Sequence, residues 1–111
     1  MWKIIETSWN ELWPIANILN EVCHGININD TENDVGFKYE TIFDLLRKLS
    51  TYEVEEAKSD IKTTIELSSL ETEIITKCFN EVFKQIEEWE FQTRIGITKK
   101  EANDILNKLT H

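Results

Sequence analysis

SSLETEIITKCFNEVFKQIEEW, running from Ser68 to Trp89, holds the longest unbroken helical apolar stripe in the chain. Ile75, Cys78, Phe79, Val82, Phe83, Ile86 and Trp89 recur at steps of three and four, so at 100° per residue they share one side of a helix. Lys77, Asn80, Glu81, Lys84, Glu87 and Glu88 fall on the other side, where Glu73–Lys77 and Lys77–Glu81 have the spacing of helical ion pairs. Ser68 followed three residues later by Glu71 is a capping-box start, which satisfies two backbone donors that the helix leaves unpaired. A face carrying two phenylalanines, a tryptophan and a thiol must be covered, because an isolated helix of this length is marginal in water. The rest of the chain is therefore read as what packs against it.

Outward from that stretch, the same start signal recurs. Ser8 with Glu11 opens a helix whose Leu12, Ile15, Ala16, Leu19, Val22 and Cys23 line one face until Gly25. Pro14 lies inside that pattern and cannot donate to the preceding turn, which predicts a kinked or two-piece helix. Residues 25–36 are rich in turn formers and acids and read as a loop. A second helix is expected from Lys38 to Leu49, with Tyr39, Ile42, Phe43, Leu46 and Leu49 inward and Arg47 and Lys48 at its negative end. Ser50 with Glu53 opens a third, expected to run to about Leu67, although the β-branched Thr63 and Thr64 weaken its second half. After the central helix, Glu90 to Ile97 reads as a connector that tucks Phe91 and Ile95 into the core. Thr98 with Glu101 then opens a terminal helix lined by Ala102, Ile105, Leu106 and Leu109. Residues 2 to 6 alternate briefly as a short extended start. The expectation is an all-α fold, a single-domain bundle of about five helices spanning residues 1–111.

Composition narrows the function classes. The 111 residues are 41% apolar and 30% charged, ordinary for one globular core. Twenty-one acids against 12 bases leave a formal charge of −9, which argues against free-standing nucleic-acid binding, where a basic footprint supplies most of the affinity. No apolar run approaches the roughly 20 residues of a membrane span, and the first residues lack a secretory pattern, so a cytoplasmic location without membrane contact is expected. Cys23 and Cys78 both sit on apolar stripes and read as reduced thiols in the core. Abundant isoleucine and asparagine fit an AT-rich bacterial or phage coding sequence.

The residues that could carry chemistry do not assemble into a known pattern. His24 follows Cys23 directly, and helical neighbours point about 100° apart, so the two cannot face one reacting atom. Asp30, Glu32 and Asp34 invite a calcium reading, but counting from Asp30 puts Val35 at the sixth position, where the calcium loop needs glycine, and Thr41 at the twelfth, where it needs glutamate. No Glu-x-x-His pair for a di-iron bundle exists, and Gly25, Gly36 and Gly96 are too scattered for a phosphate loop. The expectation is a protein that is not an enzyme, with no catalytic or metal-binding residues and no cofactor. A helix-turn-helix reading has Arg94, Lys99 and Lys100 around a helix start in its favour and Glu101 and Asp104 against it.

Charge distribution supplies the one constellation of interest. Between Lys3 and Lys38 there is no lysine or arginine, while Glu6, Glu11, Glu21, Asp30, Glu32 and Asp34 contribute six negative charges. From Thr93 onward the balance reverses, with four bases against two acids. A one-sign region steers an oppositely charged partner and speeds its association. Trp13 lies off the centre of its helical stripe, and a partly exposed tryptophan beside acids has the make-up of a binding hot spot. The expected partner-binding residues are Trp13, Glu21, Asp30, Glu32 and Asp34, and the expected partner is a basic protein.

In overall character, short, acidic and lacking catalytic groups, the chain resembles the immunity proteins that bacteria encode beside nuclease toxins. That resemblance implies an inhibitor that lays acids over a basic active site, and it carries no individual residue across. The alternative is a structural or regulatory helical module that self-associates through its aromatic residues or binds another protein.

Overall fold

Alternation of two kinds organises the chain in space: a period of two at residues 2–7 and 63–68, and helical periods elsewhere. The computed structural model describes residues 2–25, 36–50 and 63–110, with the side chains of residues 2, 9, 25 and 63 left aside. Strand β1 (Trp2–Thr7) leads into helix α1 (Trp9–Asn20), which ends in a π-helical turn (Glu21–Gly25). Helix α2 (Tyr39–Ser50), strand β2 (Thr63–Ser68) and helices α3 (Ser69–Gln85), α4 (Glu88–Ile95) and α5 (Lys99–Thr110) follow. Predominantly helical architecture is thus what the structure shows, with five α-helices among the described residues. Four of them are helices that the sequence pattern predicts, and α4 is not.

The first departure is β2. The predicted third helix was to run from Ser50 to about Leu67, and its residues 51–62 lie outside the described residues. Thr63 to Leu67, however, pair antiparallel with β1 in a two-stranded sheet, with Ile4 opposite Glu66 and Ile5 opposite Ile65. β-branched threonines and the alternation Thr64 out, Ile65 in, Glu66 out, Leu67 in suit a pleated, half-buried strand better than a helix. The inner face of the sheet places Ile5, Ile65 and Leu67 in the core, each 5% exposed or less. The short extended start read at residues 2 to 6 is one half of this sheet.

The second departure is a break in the central stretch. Helix α3 starts as predicted, with Ser68 Oγ accepting from the Glu71 amide at 3.0 Å and Glu71 Oε1 accepting from the Ser68 amide at 2.9 Å. It stops at Ile86, whose backbone is extended, and the chain restarts as α4 in the segment read as a connector. In an uninterrupted helix Phe91 would lie roughly 140° around the axis from Ile86, on the wrong side of the stripe. The break re-aims it: Ile86, Phe91 and Ile95 are all buried, and the Phe91 ring packs 5.6 Å from that of Phe83. Trp89, predicted inward, is left 73% exposed, its Nε1 donating to Glu87. Glu81, predicted to face solvent and pair with Lys77, is instead buried and accepts from Gln85.

Other predicted features survive in altered form. Ile42, Leu45 and Leu49 form the buried face of α2, while Tyr39 stays partly exposed, stacked on Phe43 at 5.9 Å with the His24 ring edge-on to both at 6.1 Å. Ser8 precedes α1 with extended backbone but makes no side-chain cap, so the first predicted capping box is not formed. Pro14 is accommodated inside a single uninterrupted α1 rather than splitting it; the winding changes later, at Glu21. The terminal box is present: the Glu101 amide donates to Thr98 Oγ1, and the Thr98 amide donates to Glu101 Oε1, both at 3.1 Å. Ala102, Leu106 and Leu109 are buried as predicted, with Ile105 partly so.

Candidate functional site

Helix α1 presents two stripes. Leu12, Ile15, Ile18, Leu19 and Val22 enter the core. A second row, Trp13, Asn17 and Glu21, is spaced by four and therefore runs along one side of the helix. All three meet the C-terminal end of α4. Gly96 closes that helix in the left-handed conformation (φ 99°), its amide donating to Gln92 O at 2.9 Å. The benzo edge of Trp13 lies so close to Gly96 that a β-carbon there would clash with its Cη2 and Cζ3 atoms. Asn17 Nδ2 donates to Ile95 O at 3.0 Å, supplying a partner to a carbonyl at the helix end. Arg94 donates through Nε and Nη2 to both carboxylate oxygens of Glu21, a bidentate pair, and through Nη1 to Glu90. The hydrogen bonds that Arg94 donates to Glu21, together with the charges of Glu21 and Glu90, hold the guanidinium above its ordinary pKa against the opposing effect of burial.

Two of the sequence-predicted site residues, Trp13 and Glu21, are thus on one row, joined by Asn17. Trp13 is 39% exposed, with one edge of its ring spent on Gly96. The Glu21 side chain is only 13% exposed and is engaged by Arg94. Asp30, Glu32 and Asp34 lie outside the described residues.

The rest of the charge pattern folds on itself in the same way. Lys108 of α5 donates to Glu11 at 2.7 Å, and Thr7 Oγ1 also reaches that carboxylate at 3.4 Å. Lys3 donates to Leu109 O at 2.8 Å, tying β1 to the last turn of α5. Lys99 donates to Phe83 O and stands 6.0 Å above the Phe91 ring. Of the six acids between Lys3 and Lys38, Glu11 and Glu21 therefore meet bases from the basic stretch after Thr93, while Glu6 is exposed.

A cleft of about 320 Å³ lies between α2 and the start of α3, with Asp44, Lys48, Leu70 and Glu71 among its walls. Its cation is committed: Lys48 donates to Glu71 Oε1 and to Glu66 O, each at 2.7 Å. Burial pushes the Glu71 carboxyl up, but the bonds from Lys48 and Ser68 outweigh it and hold that group below its ordinary range. Among the described residues no group of three or more His, Cys, Asp or Glu side chains is placed to hold a metal ion. Cys78 is fully buried and Cys23 half-buried on the facing turn; burial raises both thiols, and the proximity of Cys23 raises Cys78 further. No helix of the described residues is long and apolar enough to cross a membrane.

Comparison with known protein families, characterised proteins and solved structures finds no match. The functional reading therefore rests on this chain's own residues.

Proposed function

We propose that the chain is a cytoplasmic protein-binding inhibitor of the immunity type, acting on a basic, nuclease-like bacterial toxin rather than catalysing a reaction. The observation that carries this reading is the absence of lysine and arginine between Lys3 and Lys38 across six acids. The intramolecular pairs narrow the surface. Glu11 and Glu21 are committed to Lys108 and Arg94, so of this region's acids among the described residues Glu6 is the one left to a partner, and Asp30, Glu32 and Asp34, outside the described residues, enter the proposed surface from the sequence. Trp13, packed against Gly96 and 39% exposed, is the proposed apolar anchor. Glu21 acts at one remove, by holding Arg94 against α1. A basic enzyme is drawn in by the field and seated by the tryptophan.

The test uses the product of the neighbouring reading frame, expressed as its C-terminal domain. Asp30, Glu32 and Asp34 changed together to lysine should weaken binding at least about tenfold, or roughly 1.4 kcal/mol, and flatten its salt dependence. Unchanged affinity with unchanged salt dependence removes this surface. A second reading, self-association through aromatic residues, has its support in Trp89, which is 73% exposed. Trp89→Ala should leave toxin binding intact if the first reading is right.

A further inference from the structure

The two edges of the small sheet are finished differently. On the β2 side, the Ser68 amide is taken by Glu71 and the Glu66 carbonyl by Lys48. Both groups therefore point away from β1, and because antiparallel pairs alternate, the pairs Trp2–Ser68, Ile4–Glu66 and Glu6–Thr64 are those whose backbone groups face outward. The outward groups of β1 are then those of residues 2, 4 and 6. Among the described residues nothing bonds to the outward backbone of Ile4 or Glu6. Two outward groups of the β2 edge are taken by a lysine and a glutamate, while among the described residues the β1 edge is left open, the arrangement that invites a further strand.

Side chains on the open face point the same way. Glu6, Thr64 and Glu66 are exposed polar residues, and Ile4, 68% exposed, stands among them as an apolar outlier. β1 carries one base, Lys3, and one acid, Glu6, so this edge is electrically balanced in a chain of charge −9. Two copies can meet here without facing like charges.

We propose that β1 pairs antiparallel with β1 of a second copy, making a four-stranded sheet across a twofold axis. The register follows from the open positions. Setting Ile4 opposite Ile4 on the axis places Glu6 opposite Trp2 on either side, so residues 2, 4 and 6 of each strand become bonded pairs, with about six backbone hydrogen bonds in all. Any other register that keeps even-numbered residues facing one another shortens the ladder. The two Ile4 side chains then lie side by side on the sheet face, each covering the other, as an isologous interface requires. This inference is independent of the toxin-binding reading and uses none of its residues except Glu6.

Sedimentation equilibrium of the full chain over a wide concentration range tests it, together with amide hydrogen exchange at the two ends of that range. The mass should climb from 13.1 kDa towards twice that value. The Ile4 and Glu6 amides should slow at least about tenfold as the dimer fills, while the Lys3 and Ile5 amides, bonded to β2, stay protected throughout. Ile4→Pro removes an outward donor, which a strand edge tolerates, and should weaken the dimer at least about tenfold with Lys3 and Ile5 still protected. Ile4→Val and Trp89→Ala should leave it unchanged. A monomer at every concentration overturns the proposal, as does a dimer that survives Ile4→Pro or one in which the Ile4 and Glu6 amides exchange as in the monomer.

Discussion

Replacing Gly96 by alanine tests the seam between α1 and α4, on which the position of Trp13 depends. Two costs add. The residue sits at φ 99°, and an L-side chain in the left-handed region costs about 1–2 kcal/mol. The new methyl also occupies space held by the Trp13 ring, which must swing outward. Exposing about 100 Å² more of that ring costs roughly 2 kcal/mol or somewhat more at 25 cal/mol per Å². Gly96→Ala should therefore destabilise by about 3–4 kcal/mol, a large part of the stability of a domain this size. In a Trp13→Ala background the ring is gone, and only the backbone cost of about 1–2 kcal/mol should remain. Urea unfolding of the four proteins, with the slope checked for constancy, gives the coupling directly. Equal costs in the two backgrounds would mean that the ring does not rest on Gly96, and the account of how Trp13 is held would fail with it.

Glu21→Gln leaves Arg94 with Glu90 alone and should cost about 1–2 kcal/mol in urea unfolding, between the values typical of exposed and buried pairs. Insensitivity of the stability to this change would place the pair among ornamental surface contacts. The Glu71 and Glu101 carboxyls are held below their ordinary value of 4.5, Glu101 by its bonds from Thr98, so they contribute stability above that value. That contribution should fade as pH falls through their lowered values, and Glu71→Gln should flatten the acid limb of a stability profile. Ser68→Ala should cost about 1 kcal/mol by removing the cap of α3, with no change in urea slope. A thiol reagent should label half-buried Cys23 in the folded protein and Cys78 only after unfolding, as peptide mapping would show.

Some of this was legible because it is local. The Ser68–Glu71 and Thr98–Glu101 starts each lie within four residues, and most of the buried faces of α1, α3 and α5 follow from spacing, Ile18, Ile74 and Glu81 being among the exceptions. Such signals are set by bonds and rotations within one or two helical turns, so no other part of the chain needs to be known. The candidate site was legible only in part. Trp13 and Glu21 could be singled out by type and charge, and the row of Trp13, Asn17 and Glu21 at steps of four was available, but nothing in the spacing says what that row touches.

Tertiary structure decided the remainder. No glycine or proline marks Ile86 as the end of a helix; the chain breaks there because Phe91 and Ile95 must turn back into the same core as Phe79 and Val82. Residues 63–68 carry a pattern readable as the tail of a helix until β1, some sixty residues earlier, offers a strand to pair with. The opposition of an acidic beginning and a basic end is plain in the sequence, but whether those charges face outward or each other depends on where α4 and α5 come to rest. Arg94 rests on Glu21 and Lys108 on Glu11, because burying the apolar faces of those helices brings the two ends of the chain together.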